Sequence, residues 1–132
     1  MRVFLDANIL FSASNGISAT RQLLDRLLSR AHVITSTHAW EEARRNVERK
    51  RHQHLHGLEG LRARIEITHA FKLPTTMVVA DKDKPIMAGA VGAGCTHLWT
   101  SDAMHFGAYY GVTIHGVTIV SSIQLAALLD SA

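Results

Sequence analysis

The chain has 132 residues, 47% of them hydrophobic and 19% charged, with a net charge of +3. That length supports one packed domain over residues 1–132 but not two, and the composition argues against a disordered chain. A lone cysteine, Cys95, excludes an internal disulfide. No apolar run approaches membrane-spanning length and no signal-peptide pattern opens the chain, so a soluble, cytoplasmic protein with no membrane partner is expected.

In chain order, Arg2–Leu5 reads as a first strand and Ser14-Asn15-Gly16 as a turn. Ser18 then caps a helix whose Leu23, Leu24, Leu27 and Leu28 form an apolar stripe. His32–Thr35 is a short second strand, and Ser36 or Thr37 caps a helix from about Thr37 to Arg51. A further helix is expected over Leu58–Phe71 and a third strand at Val78-Val79. Pro85 suits the first turn of a helix that runs through Val91 and stops at Gly92 and Gly94. His97–Ser101 and Thr118–Val120 are the last strands, and Ser122 begins a final helix. This alternation predicts a layered α/β domain around a mainly parallel sheet.

Two of these strands run straight into an acid, the first into Asp6 and the fourth into Asp102. A strand ending on a carboxylate delivers it to the rim of the sheet, where open parallel sheets bind ligands. Glu42 and Asp83 start or flank helices that should reach the same rim. On the Thr37–Arg51 helix, Ala39, Trp40, Ala43 and Val47 share one buried arc; Glu42 lies at its edge and Glu41 faces solvent. Gathered together, these acids would repel unless a cation neutralised them, and carboxylate ligands with no Cys/His set suit Mg²⁺ or Mn²⁺. Asn8, Thr100 and Ser101 are placed to orient the acids or hold metal waters. Each acid also has a plainer reading as a cap, a turn residue or one half of a surface ion pair.

Charge is uneven along the chain. Residues 1–72 carry twelve Lys/Arg against seven Asp/Glu, whereas residues 73–132 carry two against four. A basic flank beside an acidic rim suits a polyanionic substrate, with Arg45 and Arg49 as candidate contacts to it and His105 near a phosphate. Ion pairs such as Glu41–Arg45 on a solvated helix face explain the same charges. His52, His54 and His56 read as a solvated connection, Cys95 as a small core residue, and Trp40 and Trp99 as core anchors.

These stretches resemble the PIN-domain nucleases. FLDANILFSA is similar to that family's first strand with its D-x-N start. TSTHAWEEARRNV resembles the capped helix bearing the family glutamate, and ADKDKPIMAGAVGAGCTHLWTSDAMHFG resembles the stretch with the last two acids. The resemblance covers nearly the whole chain and implies an α/β/α sandwich with a mainly parallel sheet of four to five strands. It implies a Mg²⁺- or Mn²⁺-dependent endoribonuclease with Asp6, Asp83 and Asp102 on the metal and Glu42 on the metal or the attacking water. VapC-like toxins belong to this family, so an antitoxin partner and a homodimer are also implied. Asp81 competes with Asp83, which its spacing to Ala88 and Ala90 favours, and His105-Phe106 falls where some relatives carry another acid. Two rival readings are an aspartyl-nucleophile phosphatase, disfavoured by Asn8 where a second Asp is needed, and a catalytically silent PIN-fold binding or regulatory module.

Overall fold

In a computed structural model, which describes residues 1–74 and 76–131, the opening apolar run forms β1 (Arg2–Leu5). Val3, Phe4 and Leu5 are fully buried, as befits a central parallel strand covered on both faces. On one side lie β2 (His32–Ser36) and β3 (Glu66–Thr68); on the other lie β4 (His97–Trp99), β6 (Val117–Val120) and β5 (Thr113–Ile114). The order is β3-β2-β1-β4-β6-β5, and every neighbouring pair is parallel except β5 with β6.

The chain winds outward from β1 to β2 and β3, then crosses back over β1 to β4. Winding therefore reverses between β1 and β4, the place where such sheets open a crevice at their carboxyl ends. Leu5 pairs with Trp99, so Asp6 and Thr100 leave the sheet at one level, and the Asp6 N–H donates to the Trp99 carbonyl at 3.1 Å.

Helices flank the sheet: α1 (Ala7–Ala13), α2 (Ala19–Leu28), α3 (Thr37–Lys50), α4 (Leu55–Glu59), α5 (Lys84–Gly92), α6 (Ala103–Phe106) and α7 (Ser122–Asp130). Their starts follow side-chain capping. The Ser18, Ser36 and Ser121 hydroxyls accept the N–H groups of Arg21, Ala39 and Gln124, and Gln124 completes a capping box at α7. Pro85 sits in the first turn of α5, where its missing N–H is harmless. Trp40, Trp99, Phe4 and Phe106 are the largest fully buried side chains, and Cys95 is buried as well.

The layered, mainly parallel architecture agrees with the sequence reading, with six strands rather than four to five. Two assignments are corrected. The helix expected over Leu58–Phe71 ends at Glu59, and Glu66–Thr68 instead forms β3 against β2. Leu58, Leu61 and Ile65 are buried as a helical stripe would be, but Gly60 ends the helix and the β-branched Ile65, Ile67 and Thr68 suit a sheet edge. Val78-Val79 is not a strand; Val79 is buried and Val78 is 68% exposed in an irregular connection. The additional β5 pairs with β6 through His115-Gly116, both at positive φ, as a two-residue hairpin turn requires.

Gly57 on α4 marks where that helix meets the end of α1. A Cβ there would lie 2.2 Å from the Ser14 carbonyl oxygen, whereas at Gly60 its nearest neighbours would be 3.6 Å away. Gly57→Ala is therefore expected to cost about 1–3 kcal/mol in urea unfolding, with Gly60→Ala close to neutral. Equal stability of the two variants would show that α4 does not press on α1 as described.

Candidate active site

Asp6 closes β1 and caps α1. Its Oδ1 accepts the Ala7 N–H at 2.6 Å, and its Oδ2 accepts the Thr100 hydroxyl at 2.9 Å and the Asn8 amide at 3.3 Å. The Asn8 Oδ1 in turn accepts the Ser101 N–H at 3.1 Å. Asn8, Thr100 and Ser101 thus tie the ends of β1 and β4 together around one carboxylate that is 5% exposed.

Asp102 follows two residues after Thr100 and caps α6, accepting the His105 N–H on Oδ1 at 3.2 Å; its Oδ2 lies 2.5 Å from His105 Nδ1. Asp83 precedes α5 at the end of a 3-10 turn, Asp81–Asp83, and makes no capping bond. Its Oδ2 is buried without a hydrogen-bond partner among the described residues. Asp81 is exposed and paired with Lys84 at 2.7 Å, so of the two candidates only Asp83 faces inward. Glu42 is half-buried on α3 and Glu41 is exposed.

Asp6, Glu42, Asp83 and Asp102 all line one cleft of about 360 Å³ at the carboxyl edge of the sheet, with Asn8 and His105. Donor atoms of Asp83, Asp102 and His105 lie within 4.8 Å of one another. Lys50 and Lys82 also line the cleft, whereas Arg45 and Arg49 are exposed outside its lining. Other basic residues have structural partners. Arg44 meets Glu48 and Glu59, Arg64 meets Asp25, and Arg62 stacks 5.9 Å from the Trp40 ring centroid.

His38, Asn46 and Lys50 were readable but not drawn from the sequence. With Glu42 they repeat every four residues along α3, and the stripe faces the cleft. Lys82 carries a weaker signal, standing between the two competing acids.

The electrostatics show a site short of positive charge. Burial pushes the Asp6 carboxyl up to about 6, and Glu42 and Asp102 add to this against the bonds from Thr100 and Ala7. Asp83 is raised as well, chiefly by burial and also by Asp102, with His105 and Lys82 opposing. Burial alone would raise Asp102 too, but the bonds from the His105 side chain and backbone leave it below the ordinary range. Two carboxylates raised by burial, one of them with an orphaned buried oxygen, form with Asp102 a donor set that fits a cation.

A mainly parallel, doubly wound domain with acids at its switch point defines a PIN-like α/β fold. No protein-family model matches the chain and no curated protein matches it. Among solved structures it is similar to VapBC2 from Rickettsia felis, bound in that structure to a DNA fragment from their promoter. That match has 17% identity and a TM-score of 0.64 over 92% of this chain and 98% of that one. It is also similar to VapC20 of Mycobacterium tuberculosis, described as a Sarcin-Ricin loop cleaving toxin, at 16% identity and a TM-score of 0.56 over 84% and 98% of the two chains. These likenesses bear out the fold read from the sequence: the chain has the fold of VapC toxins.

One consequence concerns stability. An acid whose carboxyl is raised by folding penalises the fold once it ionises, so this contribution weakens stability as pH rises from about 4 through about 6. In metal-free protein, Asp6→Asn removes the buried charge while keeping a good cap. It is expected to stabilise by about 2 kcal/mol at pH 8, with the gain fading toward pH 4. Denaturant titrations in chelator across that range check it; destabilisation at pH 8 contradicts it.

Proposed function

We propose that the chain is a PIN-domain ribonuclease that hydrolyses RNA phosphodiesters with Mg²⁺ or Mn²⁺, acting as the toxin of a VapBC-type pair. The observation that carries this reading is the convergence of four acids from separate segments on one cleft at the sheet's switch point, in the fold of VapC toxins. A protein antitoxin and a second copy of the chain are the partners proposed with that role, in the cytoplasm; among the described residues no helix is long and apolar enough to cross a membrane.

Asp6, Asp83 and Asp102 would hold the ion, and Glu42 would either join them or orient the attacking water. When bound, a divalent ion supplies neutralising charge and lowers the pKa of a coordinated water. The chain's own residues do the positioning. Thr100 and Asn8 fix the direction of the Asp6 carboxylate, and His105 fixes that of Asp102. Half-buried Glu42 is placed to take a proton from water inside the cleft. Lys50 and Lys82, on the cleft wall, would meet phosphate oxygens, with Arg45 and Arg49 extending the contact along the exposed face of α3.

Metal-dependent cleavage of RNA is the direct test. Wild type should cleave with Mg²⁺ or Mn²⁺ and stop in chelator. Asp6→Asn and Asp102→Asn should each lose on the order of 100-fold or more in rate, and binding should weaken as salt rises. Cleavage that persists in both variants or in chelator contradicts the assignment.

A further inference from the structure

We propose that His105 is a direct nitrogen ligand in this cleft, completing a three-donor set with Asp83 and Asp102, and that this mixed set favours a transition ion such as Mn²⁺ over Mg²⁺. The inference rests on the metal-dependent reading of the same cleft and narrows which ion the site takes.

Geometry supplies the first support. Donor atoms of the three residues lie within 4.8 Å of one another. Ligands around an ion at about 2.1 Å lie at most about 4.2 Å apart, so small side-chain rotations suffice to close on it. The second support is independent of the clustering. Asp83 is only 7% exposed and lines the cleft, yet its Oδ2 has no partner among the described residues. A buried carboxylate oxygen without a donor is costly, and a cation at that point removes the cost.

The third support is chemical. His105 Nδ1 and Asp102 Oδ2 stand 2.5 Å apart in a hydrogen bond, and a ring that donates from Nδ1 carries its lone pair on Nε2, the nitrogen left to ligate. The short helix α6 fixes that pairing, because the His105 N–H also bonds Asp102 Oδ1 at 3.2 Å. Mg²⁺ takes oxygen ligands and retains its waters, whereas imidazole suits the first-row transition ions; Mn²⁺ is the hardest of these and favours carboxylates, yet it accepts a nitrogen more readily than Mg²⁺ does. An imidazole beside two carboxylates therefore shifts preference away from Mg²⁺.

The alternative is that His105 only orients Asp102. His105→Asn separates the two roles, since an amide still donates to Asp102 but removes the ring nitrogen. His38→Asn is the control, because His38 also lines the cleft. Pulsed electron paramagnetic resonance on Mn²⁺-loaded wild type should show coupling to a nitrogen that persists in His38→Asn and vanishes in His105→Asn. Calorimetric titration should show the ratio of Mn²⁺ to Mg²⁺ affinity falling about tenfold or more in His105→Asn. Bound Mn²⁺ with no nitrogen coupling in wild type, or coupling and selectivity unchanged in His105→Asn, overturns the inference while leaving the acidic cleft as an ion site. Wild type that binds neither ion overturns the proposed function as well.

Discussion

The parallel pairing of β1 with β4 is the constraint on which the cleft depends. Because Leu5 and Trp99 are in register, the chain emerges from both strands at one level, and the next polar residues must share the same small space. Thr100 and Asn8 fill it with hydrogen bonds to Asp6, which leaves that carboxylate nearly enclosed and fixed in direction. Asp102 follows at the start of α6, while α3 and α5 bring Glu42 and Asp83 to the same edge. A slip of one residue in this pairing would turn the alternating side chains of β4 to the opposite face and separate the acids.

Holding these acids together has an energetic consequence that links fold to function. Desolvation favours protons on Asp6 and Asp83, so near neutral pH the ion-free cleft works against the fold. His105 and Lys82 offset part of the negative charge, and a divalent ion would offset far more. Core packing supplies the reserve against which this strain is held. Trp40, Trp99, Phe4 and Phe106 are fully buried, and the capped starts of α2, α3 and α7 hold the surrounding scaffold. The buried apolar core thus surrounds the sheet, and the acidic cleft sits at its rim.

Much of this was legible in the residues. Asp6 and Asp102 stand out because an acid at or just past the end of a short apolar run is delivered to the rim of a sheet. Glu42 is legible from helical periodicity, and the same arithmetic extended by four residues each way finds His38, Asn46 and Lys50. Asp81 and Asp83 are not separable by pattern, since their two-residue spacing puts either at a helix start; burial against the cleft decides for Asp83. β3 escapes the sequence because Leu58, Leu61 and Ile65 satisfy a helical spacing whether or not the helix continues, and only pairing with the β2 edge makes Glu66–Thr68 extended. α1 escapes for another reason. Asp6 belongs to both the strand and the helix it caps, with no linker between them to mark the change.

Anomalous scattering from Mn²⁺-soaked crystals, recorded near the manganese absorption edge, tests the account most directly. It predicts a peak inside the cleft bounded by Asp6, Glu42, Asp83 and Asp102, in contact with the Asp83 oxygen that has no hydrogen-bond donor. A cleft empty of anomalous density at saturating Mn²⁺, or density only at other surfaces, would contradict it.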